Sequence, residues 1–193
     1  MKLRDDTLER MFRAVQRVEH RLLTTTSALE AAGIAYAVIG GNAVAFWVAT
    51  VDAGATRNTP EVNVLVRRED RGAVADAMTA AGFDHRIVKG VNGFVDRPDG
   101  SERSGIYFWF AGERVRESDV LPMPELTEAV QGSRFKVISL KALVRMKLVS
   151  FRRKDQVHLQ DLLRQGLLDD TWPARFPDAL ANRLREILAD PEG

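Results

Sequence analysis

The feature that most constrains the fold is a short apolar run that stops at a glycine pair. Residues 34–39 are apolar and rich in β-forming side chains, and Gly40-Gly41 separates them from a stretch of helical character over 42–51. A six-residue apolar run has the length of a buried strand, and a glycine pair is a strong turn signal. The order of strand, turn and helix therefore predicts an α/β arrangement.

The same alternation continues along the middle of the chain. Alternating or wholly apolar runs predict strands, and apolar residues at helical spacing predict a helix that closes at Gly82. The predicted elements are a strand over 61–66, a helix over 69–81, a strand over 83–88, and two antiparallel strands over 91–95 and 106–111 joined across the turn Arg97-Pro98-Asp99-Gly100.

Both ends of the chain read as helical. Apolar residues at helical spacing predict one or two amphipathic helices over 5–32, and Ser139 precedes a helix to about 153. Two further helices are predicted over 155–165 and 173–188. We expect a single domain over 1–193, with N-terminal helices (1–33), a core sheet (34–125) and a C-terminal helical part (126–193). Its class is α/β (α+β), with a mixed, mainly antiparallel twisted sheet of about five strands and flanking helices.

Composition narrows the functional classes. The 193 residues include 28 basic and 27 acidic side chains, a formal charge of +1, so a general nucleic-acid-binding surface is not expected. The absence of cysteine excludes disulfides and thiolate metal sites. No apolar run approaches the roughly 20 residues that span a bilayer, and the charged start MKLRDDTLERM differs from a secretory signal. We expect a cytoplasmic protein with no membrane partner.

Gly40-Gly41 is the first candidate site. Two residues without Cβ atoms let backbone N–H groups approach an anion at the positive end of a helix dipole. The alternative is a tight turn that simply requires glycine.

The segment 57–63 is the second candidate site. Because side chains on a strand alternate between its faces, Glu61 and Asn63 should point to one spot. Two oxygen ligands in that arrangement suit Mg²⁺. Arg57 and Thr59 could add a guanidinium and a hydroxyl to the same phosphate cluster.

These residues resemble a known family. Gly40-Gly41 followed by Arg57-x-Thr59-x-Glu61-Val62-Asn63 is similar to the motif of the nucleotidyltransferase superfamily, which has the DNA polymerase β-type fold and includes minimal nucleotidyltransferases and abortive-infection toxin-type relatives. The stretches 110–116, 140–148 and 151–159 also look like bacterial stand-alone members, so the resemblance covers roughly 34–169.

The resemblance implies a Mg²⁺-dependent transfer of a nucleoside monophosphate from a nucleoside triphosphate (NTP) to a hydroxyl acceptor. Relatives usually carry Asp-x-Asp where this chain has Glu61 and Asn63, so the predicted catalytic and metal pair is degenerate. The neighbouring strand offers Ser104, Tyr107 and Trp109 rather than a third carboxylate. Glu102, Glu113 and Asp96 are the candidates for that missing group.

A basic region over 134–154 has no acidic residue between Arg134 and Lys154. Its outer face is either a solvated surface or a site for an RNA acceptor. Lys147 falls inside the apolar stripe of the predicted helix, either extending past its neighbours or offering its ammonium to a triphosphate. Family resemblance favours the phosphate role.

Asp155, His158 and Asp161 lie at intervals of three residues along the next predicted helix. They could form a metal or general-base site. The alternative is a charged helix start at Asp155, with a histidine hydrogen-bonded to the neighbouring carboxylates.

The sequence thus predicts a nucleotidyltransferase-like protein with weak or lost activity, whose phosphate contacts are Gly40, Gly41, Arg57, Thr59 and Lys147. The rival predictions are a non-catalytic nucleotide- or partner-binding homologue, for example in a toxin–antitoxin or phage-defence pair, and an RNA-binding accessory protein. A protein or an RNA could be the acceptor, and the oligomeric state stays open.

Overall fold

A computed structural model describes residues 2–88, 90–98 and 100–190, so Asp99 of the predicted turn lies outside the described residues. The helices are α1 (Lys2–Ala31), α2 (Gly40–Ala49), α3 (Arg71–Ala80), α4 (Leu140–Ser150), α5 (Arg153–Arg164) and α6 (Asp178–Ala189). The strands are β1 (Tyr36–Ile39), β2 (Val62–Val66), β3 (Phe83–Val88), β4 (Val91–Asp96), β5 (Ile106–Phe110), β6 (Ala129–Gln131) and β7 (Lys136–Ile138).

Within the described residues the strands form one sheet in the order β3-β4-β5-β2-β1-β7-β6. The pairs β1–β2, β3–β4, β4–β5 and β6–β7 are antiparallel, whereas β1–β7 and β2–β5 are parallel. This confirms the predicted class of mixed, mainly antiparallel sheet with flanking helices, with seven strands in place of about five.

The two additional strands correct the predicted division of the chain. Strands β6 and β7 lie within 126–193, the part predicted to be helical, so the sheet extends beyond residue 125. Each contains three residues. A three-residue strand is too short for an alternating pattern to become visible, which is why the sequence did not reveal it.

Helix α1 is one continuous helix over the region predicted as one or two. Its second half packs on the domain, where Leu22 and Leu29 are buried. Its first half presents Leu8, Met11 and Phe12 to solvent, each more than 60% exposed. The amphipathic pattern therefore predicted a helix correctly, although only part of its apolar stripe is covered by the described residues.

The central strands carry the core. All four residues of β1 are buried, as are Val62, Val64, Leu65 and Val66 of β2. Strands that are buried on both faces have nearly continuous apolar sequences. The sequences of β1 and β2 fit this rule. Among the described residues, no helix is both long enough and apolar enough to cross a bilayer.

The topology places the end of one central strand beside the start of the next. Because β1 and β2 are antiparallel, Ile39 at the end of β1 pairs with Asn63 near the start of β2. The parallel neighbour β5 pairs Leu65 with Trp109. The glycine pair that follows Ile39 is thereby brought next to Asn63.

Candidate functional site

A cleft of ≈ 320 Å³ opens at this edge of the sheet, between the β1–α2 connection, the start of β2 and the helices α4 and α5. Apolar side chains such as Leu121, Met123 and Met146 line one part of it. Its charged lining comprises Arg116, Lys147, Arg152 and Lys154 with Glu61, Asp119 and Asp155. The residues predicted as metal ligands or phosphate contacts line this cleft with the exception of Arg57: they are Gly40, Gly41, Thr59, Glu61, Asn63 and Lys147.

The sequence had suggested a separate turn between strand and helix. In the structure the glycine pair is instead the start of helix α2. Gly40 has a φ of +71°, a left-handed conformation that favours glycine. A Cβ atom on Gly40 would lie 3.1 Å from the Cβ of Asn63, and one on Gly41 would lie 2.8 Å from the Cβ of Thr59. At Gly40, glycine avoids the backbone strain that another residue would have at this φ. At both positions, glycine also leaves room for the neighbouring side chain.

The start of α2 has no side-chain cap, and its anion-binding role stays a prediction. No side chain caps the helix at Ile39, so its first N–H groups have no side-chain acceptor at the cap. Gly40 and Gly41, the first two residues of this helix, line the cleft. The packing role and the anion role are thus compatible at the same two residues.

The side chain of Asn63 accepts a hydrogen bond from a tryptophan indole. Trp109 Nε1 donates a hydrogen bond of 2.9 Å to Asn63 Oδ1. The carboxamide oxygen that would serve as a metal ligand therefore already accepts one hydrogen bond. Trp109 was noted in the sequence as a residue of the neighbouring strand, but its donor role depends on the register of β2 and β5.

Glu61 lies just outside β2, which begins at Val62 and not at Glu61 as predicted. The main-chain oxygen of Glu61 accepts a hydrogen bond of 2.8 Å from Asn42 Nδ2, which fixes this residue to α2. Its carboxylate lies 3.8 Å from Lys154 Nζ. The single carboxylate of the motif thus has a cationic partner within the protein.

The residues present do not fit a carboxylate-rich Mg²⁺ site. The part of the chain that the structure describes contains no group of three His, Cys, Asp or Glu placed to hold a metal ion. Asp96 pairs with Arg21, Glu113 pairs with Arg68, and neither these nor Glu102 line the cleft. None of the candidates for a third carboxylate therefore lines the cleft with Glu61 and Asn63.

Arg57 is placed outside the cleft lining. Its Nε donates to both carboxylate oxygens of Asp161, at 2.9 and 2.7 Å. This contact ties the loop before β2 to helix α5. The structure thus gives Arg57 and Asp161 a shared structural contact that neither the phosphate prediction nor the metal prediction included.

Lys147 is buried and forms an ion pair. Its Nζ donates a hydrogen bond of 2.9 Å to Asp155 Oδ1, and the two side chains are 7% and 1% exposed. Ser150 and Arg152 also donate to Asp155, at 2.7 and 2.8 Å. Burial alone would raise the pKa of Asp155, but the charge of Lys147 and these donated hydrogen bonds outweigh it and lower the pKa.

This ion pair explains why a lysine interrupts the apolar stripe of α4. The sequence suggested two reasons, extension to solvent or contact with a phosphate, and the buried partner Asp155 is a third. Asp155 also accepts from the backbone N–H of Arg152 at the start of α5, as expected for a charged helix start. No local spacing rule connects Lys147 with Asp155, so the sequence could not indicate the pair.

His158 corrects a prediction. The expected hydrogen bond to neighbouring carboxylates is missing, because the buried Nδ1 has no partner among the described residues. Burial, followed by the nearby charge of Lys147, lowers the pKa of His158 to about 4. The side chain lines the cleft as a neutral imidazole at pH 7.

The basic region is partly neutralised by ion pairs. Arg134 pairs with Glu19, and Arg145 pairs with Glu128 at 2.6 Å. Lys147 and Arg152 share Asp155, and Lys154 pairs with Glu61. Four acids therefore face the eight basic residues of this region. This arrangement weakens the argument for an extended RNA-binding face, which needs free cations.

The fold is similar to that of nucleotidyltransferases of known structure. A candidate nucleotidyltransferase from H. pylori superposes with a TM-score of 0.55 at 14% identity, covering 92% of this chain and 78% of that one. JHP933 from Helicobacter pylori gives a TM-score of 0.53 at 14% identity, with coverage of 92% and 74%. The antibiotic-resistance factor ANT(2'')-Ia gives 0.52 at 12% identity, with 90% of each chain covered.

No protein-family model matches this chain, and no curated protein matches its sequence. At 12 to 14% identity, the structural similarity establishes the fold alone. What the cleft binds has to be argued from its own residues.

Proposed function

We propose that this protein binds a nucleotide in the cleft and transfers nucleoside monophosphate slowly or not at all. The observation that carries this proposal is the hydrogen bond from Trp109 to Asn63, because it takes one of the two lone pairs of the oxygen that a metal ion would need. Glu61 remains as one carboxylate beside it, and attraction of a divalent cation falls with the loss of the second charge.

The binding part of the proposal is supported by the arrangement around Gly40 and Gly41. The uncapped start of α2 provides N–H donors at the positive end of a helix dipole, which favours phosphate. The adjacent apolar lining, which includes Leu121 and Met123, offers surface to the rest of a nucleotide.

Calorimetric titration of ATP and GTP in Mg²⁺ buffer tests the binding. We expect Gly41→Ala to weaken it about tenfold, because the added Cβ would meet Thr59 at 2.8 Å and displace the start of α2. Gly72→Ala in α3 is the matched control, since an added Cβ there has no atom within 4 Å. A wild-type protein that binds neither nucleotide would contradict the proposal and favour the partner-binding alternative.

A labelling assay tests the catalytic part. The double change Glu61→Asp with Asn63→Asp is expected to raise Mg²⁺-dependent nucleotide transfer above the wild-type level, because it restores two carboxylates at the strand start. Wild-type protein that already transfers nucleotide as fast as the double variant would show that the altered pair is sufficient.

A further inference from the structure

The carboxylate of Glu61 and the ammonium of Lys154 form a loose ion pair at the cleft. Their charged atoms are 3.8 Å apart, within ion-pair range but beyond hydrogen-bond distance. The side chains are 35% and 56% exposed, respectively. Exposed pairs of this kind contribute little to stability, so Lys154 can readily exchange one partner for another.

Of the other three cations that line the cleft, Lys147 and Arg152 are less free, whereas Arg116 is exposed. Lys147 and Arg152 both donate hydrogen bonds to Asp155. Lys154 therefore combines three properties in one side chain: it lines the cleft, it is more than half exposed, and it forms no hydrogen bond to a carboxylate. Among Lys147, Arg152 and Lys154, it is the one positioned to meet an incoming anion.

The position beside Glu61 already has a cation. A divalent ion bound there would have to compete with the ammonium of Lys154 and with the indole N–H that Asn63 accepts. A lysine ammonium is a compact charge with three donors, so it can face Glu61 with one and a phosphate oxygen with the others.

We propose that Lys154 takes the place of the divalent cation, so that the cleft binds a nucleoside di- or triphosphate equally well with and without a bound metal ion. This inference rests on the proposed nucleotide-binding function and names the forms of nucleotide that the cleft accepts. Magnesium adds no affinity, because Lys154 already supplies a cationic contact to the phosphates.

The test is titration of ATP into the full chain, once with Mg²⁺ and once with EDTA. The wild-type dissociation constant in EDTA is expected to lie within about threefold of that in Mg²⁺. Lys154→Met keeps the apolar stem and removes the charge, and it should weaken binding in EDTA at least about tenfold, as expected for one lost charge-assisted hydrogen bond.

Two variants serve as controls for this titration. Lys154→Arg keeps the charge and should bind within about threefold of the wild type. Lys141→Met lowers the net charge equally, at an exposed position of α4 outside the cleft lining, and should leave binding unchanged. Circular dichroism of each variant verifies that the fold is intact.

The outcomes separate the two proposals. Binding that requires Mg²⁺ would overturn the inference of metal-independent binding and leave the nucleotide-binding function standing. Unchanged binding by Lys154→Met in EDTA would overturn the role of Lys154. No binding under either condition would overturn both.

Discussion

Two lysine–carboxylate pairs line the same cleft and differ in nearly every physical respect. Lys147 and Asp155 are 2.9 Å apart and almost fully buried, and Asp155 has further donors. Lys154 and Glu61 are 3.8 Å apart and partly exposed. Because charges in a desolvated pair cannot be separated without a large cost, the first pair maintains the fold, whereas the second remains available for exchange.

This contrast shows that the protein holds one of two nearby lysines much more firmly than the other. The family resemblance indicated Lys147 for the phosphates, and the geometry gives its ammonium an internal partner. The phosphate role of Lys147 stays a prediction, and Lys154 is the cation with the weaker internal contact.

The largest expected effect comes from breaking the buried pair. Lys147→Met leaves the Asp155 charge buried without its main partner, so we expect the free energy of unfolding to fall by about 3 to 5 kcal/mol. Urea unfolding at pH 7 measures it. The double variant Lys147→Met with Asp155→Asn should recover part of the loss, and a single variant that costs less than about 1 kcal/mol would contradict a structural role.

His158 is expected to make a smaller contribution to the free energy of unfolding, and this contribution depends on pH. It faces Lys147 of α4, Asp155 and Lys154 of α5, and Arg57 of the loop before β2. Its folded pKa of about 4 lies below the ordinary value of 6.5, so the unfolded chain binds the proton first and stability falls as the pH decreases from about 6.5 to about 4.

Because His158 is only partly buried, we expect this loss to be about 2 kcal/mol between pH 7.5 and 4.5. His158→Gln should remove it, as measured by urea unfolding at both pH values. The depressed pKa of Asp155 acts in a different window, since its contribution is lost only below the ordinary aspartate pKa of about 4. Equal losses in the wild type and the variant would show that His158 is not the titrating group.

The smallest effect on stability is expected from the exposed pair. Lys154→Met and Glu61→Gln should each change the free energy of unfolding by less than about 1 kcal/mol. Urea unfolding in low and high salt measures this, with Lys141→Met as the control. If either variant lowered the free energy of unfolding as much as Lys147→Met does, the distinction between the two pairs would be wrong.

Much of the fold could be predicted because its signals are local. The strand over 83–88 and the stop at Gly82, which has a φ of +94°, follow from apolar runs and glycine positions alone. Strands β6 and β7 could not be predicted, since three residues carry no periodicity. The start of α2 was also misread, because a glycine pair that opens a helix resembles one that forms a turn.

The site shows the same limit. Gly40, Gly41 and Asn63 were indicated by a local motif, and the structure brings them together. The donor from Trp109 depends on strand register, and the Asp155 contact of Lys147 depends on the corner between α4 and α5. Phe151 at that corner adopts a left-handed φ of 42°, which no sequence rule assigns to phenylalanine.

The corner at Phe151 also depends on the last helix. Arg183 of α6 donates to the carbonyl oxygens of Leu148 and Val149, at 2.6 and 3.0 Å, and its guanidinium lies 5.2 Å from the Phe151 ring centroid. The final turn of α4 is therefore held by a residue that follows it by more than thirty positions. During synthesis on the ribosome, we therefore expect this wall of the cleft to become fixed only after α6 has emerged.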